Sequence, residues 1–160
     1  MKVKDVFRSG VKTCTAVTCL DAVGRIMWES DCGAVPVVNA EGKAVGMLTD
    51  RDLAMALAAK DRGASQIFVR EISSGVIFTC GPEDEVTDAA LKMRTHQVRR
   101  LAVTDPQGIL LGVLSLKDLA LAANGTSGIS YEEVAKTLQT VSKPRTEERP
   151  KWPWVNARDR

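Results

Sequence analysis

The sequence predicts an α/β protein of the α+β kind, in which one β-α-β-β-α unit occurs twice in tandem. Three observations predict this. Residues 3–57 align with residues 69–123 without a gap, at a constant offset of 66. Within each copy, apolar residues first recur at helical spacing and then form two short runs divided by a turn. A Gly-x-x-Thr/Ser-x-x-Asp motif closes the second run of both copies, at Gly46, Thr49 and Asp52 and at Gly112, Ser115 and Asp118. A fixed period of this length marks one supersecondary unit used repeatedly, and 160 residues suffice for two such units.

The elements follow in order. Val3-Lys4-Asp5-Val6 matches Val69-Arg70-Glu71-Ile72, and each stretch predicts a short helical turn, over 3–8 and 69–74. A brief β segment is expected near 11–14 and 77–80, and an amphipathic helix near 19–31 and 84–96. Val86, Ala89, Ala90 and Met93 carry the helical spacing in the second copy, after the acidic start Pro82-Glu83-Asp84-Glu85. Two strands follow in the first copy, Ala34-Val35-Pro36-Val37-Val38 and Lys43-Ala44-Val45-Gly46-Met47-Leu48. Asn39-Ala40-Glu41-Gly42 joins them with hairpin composition, and Asp105-Pro106-Gln107-Gly108 is its counterpart. A last helix is expected over about 50–60 and 116–124. Residues 1–62 and 63–126 thus form the two repeats. A helix over about 130–142, begun by Ser130, lies outside the repeat within a segment spanning 127–143. Residues 144–160 read as a charged, Pro-containing tail without periodicity. Trp152 and Trp154 in that tail leave two readings open, packing against a neighbouring subunit or no fixed structure.

Composition narrows the function. Hydrophobic residues make up 44% and aromatics only 4%, so the core must be aliphatic. A net charge of +2 gives no argument for nucleic acid as a partner. No apolar run approaches the roughly 20 residues that cross a bilayer, and the first residues lack a secretory signal, so a cytoplasmic protein is expected. Cys14, Cys19, Cys32 and Cys80 form no Cys-x-x-Cys pair, and His96 is the single histidine. Free, partly buried thiols are expected rather than a metal site or disulfides. His96 reads as a helix-end residue. No nucleophile signature, Walker loop or dinucleotide fingerprint is present, which argues against an enzyme.

The paired Gly-x-x-Thr/Ser-x-x-Asp motifs, with Ala34-Val35-Pro36-Val37-Val38 and Arg100-Leu101-Ala102-Val103 before them, resemble the cystathionine-β-synthase (CBS) repeat. The resemblance covers roughly residues 1–124. It implies two repeats packed through their sheets with pseudo-two-fold symmetry, and two clefts that take adenine nucleotides such as AMP, ADP or ATP. NAD(H) and S-adenosylmethionine are further ligands of this kind. By that resemblance Asp52 and Asp118 would accept from ribose hydroxyls, and Thr49 and Ser115 would donate to phosphate at a helix start. Base contacts would come from Val11–Thr13, Ile77–Thr79, Ala34, Val35 and Pro36, and Arg100, Leu101 and Ala102. Arg99 and Arg100 match a phosphate-reaching position for which the first copy has only Gly33 and Ala34, so the sites should be unequal. Arg51 and Lys117 are further basic candidates. Two plainer readings stand beside these: Thr49 and Ser115 as helix caps, and Arg99 and Arg100 as solvated surface charges. The family resemblance further implies a homodimer, with apolar faces at Leu53–Ala58 and Leu119–Ala122, and signalling to a separate regulated protein. A purely structural interaction module with empty clefts is the alternative.

Overall fold

The computed structural model describes residues 1–123 and 128–144. The chain forms β1 (Arg8–Ser9), α1 (Leu20–Glu29), β2 (Ala34–Val38), β3 (Ala44–Thr49) and α2 (Asp50–Ala59). It continues through β4 (Thr79–Cys80), α3 (Val86–His96), β5 (Arg100–Thr104), β6 (Leu110–Ser115), α4 (Leu116–Ala122) and α5 (Tyr131–Val141). Short 3-10 turns occupy Val3–Asp5, Ala64–Gln66 and Val69–Glu71. The mixed α+β fold expected from the sequence is present. The tail and its two tryptophans lie outside the described residues, as does residue 124 of the last expected repeat helix.

The compact units do not coincide with the sequence repeats. Among the described residues, one unit joins Met1–Val11 to the chain between Ile77 and residue 144, and the other is Lys12–Val76. Each repeat's leading turn therefore docks on the core of the other repeat. Val3 N–H donates to the Asp84 carbonyl and Lys4 N–H to that of Pro82; Val69 and Arg70 make the same bonds to Thr18 and Ala16. The proline at 82 and the alanine at 16 serve equally, because only their carbonyls are used. Val3 is fully buried in a cluster with Cys80, Val86, Met93, Leu101 and Leu114. Val69 occupies the equivalent place among Cys14, Leu20, Met27, Val35 and Leu48.

The unit containing Met1 has a four-stranded sheet in the order β1-β6-β5-β4, with β4 parallel to β5. Strand β1 was not expected: the helical turn ends at Asp5, and Arg8–Ser9 pair with Val113 and Gly112. Gly112 makes this possible, since a Cβ there would lie 2.1 Å from the Arg8 carbonyl oxygen. The unit Lys12–Val76 has a two-stranded sheet of β2 and β3, with a single parallel bridge from Cys14 to Val37. One residue explains the shorter pairing there. Ala102 N–H donates to the Phe78 carbonyl at 3.0 Å, but the equivalent Pro36 has no N–H. Helix α5 packs on α3 and α4, where Arg94 meets Glu133 at 2.7 Å and donates to Thr137. No helix among the described residues is long and apolar enough to cross a membrane.

Candidate functional site

In a strand, neighbouring side chains point to opposite faces, while directly paired residues share one. This sorts the candidate residues. Val35 pairs with Leu48 and Leu101 with Leu114, and these four are buried core residues. Val35 and Leu101 can therefore offer a ligand only their backbone. The opposite face of the first-repeat sheet carries Ala34 opposite Thr49 and Pro36 opposite Met47. Thr13 precedes the bridged Cys14 and is exposed. On the second-repeat sheet, Arg100 lies opposite Ser115, and Thr79, Ala102, Val113 and Arg8 form one row across four strands. Ala102 is fully buried on that row, whereas Thr79 is exposed. Val11 and Ile77, both half-buried, lie outside any strand.

Each sheet hands its last strand directly to a helix, and the motif residues gather at that junction. Thr49 Oγ1 donates to Asp52 Oδ2 at 2.7 Å and accepts from Asp52 N–H at 3.3 Å, while Thr49 N–H donates to the same carboxylate at 2.8 Å. Ser115 and Asp118 repeat the arrangement, with Ser115 N–H to Asp118 Oδ2 at 2.8 Å. Both are complete capping boxes. Each hydroxyl proton is thus directed at its own aspartate, and a phosphate would have to compete for it.

The two junctions differ in charge. Asp50 opens α2, where its carboxylate accepts from the Arg51 N–H at 2.8 Å. Leu116 replaces that acid at the start of α4 in the second repeat. Arg99 is exposed and Arg100 half-buried, and neither guanidinium has an ion-pair or hydrogen-bond partner among the described residues. The Arg99 carbonyl accepts from Leu116 N–H at 2.9 Å, which ties this basic pair to the start of α4. Arg51 and Lys117 are exposed, one on each helix.

A further asymmetry involves a residue that sequence reading did not single out. Arg8 Nε donates to Asp118 Oδ1 at 3.0 Å, and Asp118 is only 7% exposed. Position 74, the repeat equivalent of Arg8, is Ser74, whose hydroxyl accepts from Val76 N–H instead. Asp52 Oδ1 has no partner among the described residues. An arginine against a serine at one offset was visible in the alignment, but its target was hidden because the leading segments exchange cores. Beside the ion pair lies a shallow hollow of about 300 Å³, lined by Asp5, Val6, Arg8, Asp118, Leu121 and Ala122.

The thiols are free: Cys14 and Cys80 are buried at equivalent positions, and Cys19 and Cys32 are half-buried. Burial pushes the Cys14 thiol up to about 11 and that of Cys80 to about 12. His96 ends α3, as its sequence position suggested, and stacks on Phe78 with ring centroids 4.1 Å apart.

Known proteins share this pattern. The CBS domain family model matches residues 3–59 and 69–125. The CBS domain-containing protein YhcV of Bacillus subtilis is 34% identical over 88% of this chain and 94% of its own length. Homoserine O-acetyltransferase of Methanococcoides burtonii is 29% identical over 73% of this chain, which spans only 23% of that protein. Among solved structures, the CBS domain pair of protein MJ0100, in complex with 5-methylthioadenosine and S-adenosyl-L-methionine, superposes with a TM-score of 0.68. It is 23% identical and covers 76% of this chain and 94% of that one. CBSX2 in complex with AMP superposes with a TM-score of 0.64 at 22% identity, over 76% of this chain and 94% of that one. With both repeats matched and the same two-repeat fold, the chain belongs to the CBS-domain family.

Proposed function

We propose that this module is cytoplasmic, binds adenosine-containing ligands, AMP, ADP or ATP before NAD(H) or S-adenosylmethionine, and passes the occupancy signal to a separate regulated protein. The observation that carries the reading is the pair Arg99 and Arg100. Two guanidinium groups without acidic partners stand at the start of α4, with Arg100 directly across the ladder from Ser115. Guanidinium groups suit phosphate by geometry and charge. The aspartates at both junctions supply the acceptor chemistry that a vicinal diol needs. Phosphate-bearing ligands then favour the second-repeat site, because Asp50 opposes an anion at the first. Binding transmits a signal by favouring whichever arrangement of the module holds the ligand better. The module works as a homodimer in this reading, and the exposed Met55 and Leu57 on α2 and Leu121 on α4 supply apolar surface for pairing.

Isothermal titration calorimetry with AMP, ADP, ATP, NAD and S-adenosylmethionine tests the proposal. Arg99→Ala with Arg100→Ala should weaken AMP binding about tenfold or more, as loss of charge-assisted hydrogen bonds implies, and leave adenosine binding unchanged. Absence of binding by every one of these ligands at millimolar concentration overturns the reading. It would favour instead an interaction module with empty sites, which the complete capping boxes allow.

A further inference from the structure

The Arg8–Asp118 ion pair has a consequence beyond nucleotide binding as such. A ribose diol needs a carboxylate oxygen able to accept from it. Asp118 has one oxygen engaged by Ser115 and the other by Arg8. Asp52 has the same engagement by Thr49, but its Oδ1 has no partner among the described residues, and the repeat equivalent of Arg8 is Ser74, which carries no cation. The two aspartates therefore begin from different states although their motifs match. Arg8 is held in place by its own strand: β1 pairs with β6 at Arg8 and Val113, and Val3 anchors the segment in the core. Its side chain is 58% exposed and borders the open hollow, so it can leave Asp118 for solvent without disturbing the core.

We propose that Arg8 is a latch on the second-repeat site, holding Asp118 closed to a ligand diol until the ligand displaces it, while Asp52 is open from the start. The latch makes the two sites differ in affinity for the ribose portion. It also links occupancy of the second site to release of the Arg8 side chain, the part of the N-terminal segment that ends on β1. This rests on the nucleotide-binding reading above, and it concerns the diol rather than the phosphate.

Adenosine is the suitable probe, since it carries the diol and no phosphate. The chain with Asp52→Ala isolates the second site, and Arg8→Ser copies the residue that the first repeat uses at the equivalent position. In the Asp52→Ala background, Arg8→Ser should tighten adenosine binding about tenfold, the scale of one charge-assisted hydrogen bond. The gain should vanish with 2′-deoxyadenosine, which lacks the diol. Arg8→Met, which keeps the unbranched stem and removes both the charge and the donor, should give the same direction of change, and circular dichroism should show every variant folded. Unchanged or weaker adenosine affinity in both Arg8 variants overturns the latch, as does an equal gain with 2′-deoxyadenosine. Failure of the unsubstituted chain and of every variant to bind adenosine or AMP would instead defeat the nucleotide reading itself.

Discussion

Alanine at Gly112 should destabilise the protein far more than alanine at Gly46, although the two glycines hold the same motif position. A Cβ at Gly112 would stand 2.1 Å from the Arg8 carbonyl oxygen and 2.7 Å from two ring carbons of Phe7. The nearest atom is backbone within the β1–β6 pairing, so no side-chain rotation relieves the clash. If the leading segment stays docked, overpacking costs about 1–3 kcal/mol or more. If it leaves, the fully buried Val3 is exposed at about 2 kcal/mol, and Asp118 loses its cation for roughly 1 kcal/mol more. Both routes arrive near 3 kcal/mol, which corresponds to a Tm lowered by about 6–12 °C for a chain of this size. At Gly46 the near atom is Ser73 Oγ, 2.8 Å away on a rotatable hydroxyl, and the next is Val37 at 3.4 Å. Gly46→Ala should therefore cost under about 1 kcal/mol, helped by the lower entropy of the unfolded chain. Urea unfolding followed by circular dichroism measures both variants. Amide exchange at Val3 and Lys4, which donate to Asp84 and Pro82, reports whether the segment has left. A Gly112→Ala protein within about 1 kcal/mol of the parent, or a larger loss from Gly46→Ala, would refute the explanation of the motif glycine.

Two further outcomes follow from the titratable groups. The Phe68 N–H, then Arg62 and Lys60, hold the Glu71 carboxyl down at about 2, against an ordinary value of 4.5. Its contribution is thus present above about pH 4.5 and fades as the pH falls toward 2. The ceiling of about 3 kcal/mol shrinks to about 1–2 through solvent screening of this part-exposed cluster. Glu71→Gln should accordingly lose that amount at pH 7 and match the parent near pH 2, in urea unfolding across the range; an equal deficit at both ends would exclude the linkage. For the thiols, 5,5′-dithiobis(2-nitrobenzoate) at pH 8 should modify Cys19 and Cys32 first, and Cys14 and Cys80 only after denaturation, because burial keeps the latter pair protonated. Rapid reaction of all four in the folded protein would contradict that burial.

Much of the molecule was legible in one dimension because its signals are local. Helical spacing placed Val86, Ala89, Ala90 and Met93 on the buried side of α3. Asn39 and Asp105 each accept two backbone N–H groups in the hairpin turns, and Gly42 and Gly108 supply the positive φ that closes them. Thr49 and Ser115 form their capping boxes with aspartates three residues away, as that spacing requires. The candidate site was legible to the same depth: residue types and junctions came from the motif, and strand alternation sorts their faces. For Val35 and Leu101, which the family resemblance offers as ligand contacts, burial leaves only the backbone, and a run of apolar residues does not by itself show which residues turn inward.

The sequence by itself determined the repeat, its elements and the two matching strand-to-helix junctions, since each depends on residues a few positions apart. Tertiary structure alone decided which core each leading segment enters. That choice lets Val3 fill the second repeat and Val69 the first, places the backbone of Arg8 against Gly112, and brings its guanidinium to Asp118, 110 positions further along the chain. Contacts of that range depend on buried volume and unpaired strand edges, which no local pattern encodes. The inequality of the two aspartates, equal in sequence, is their product.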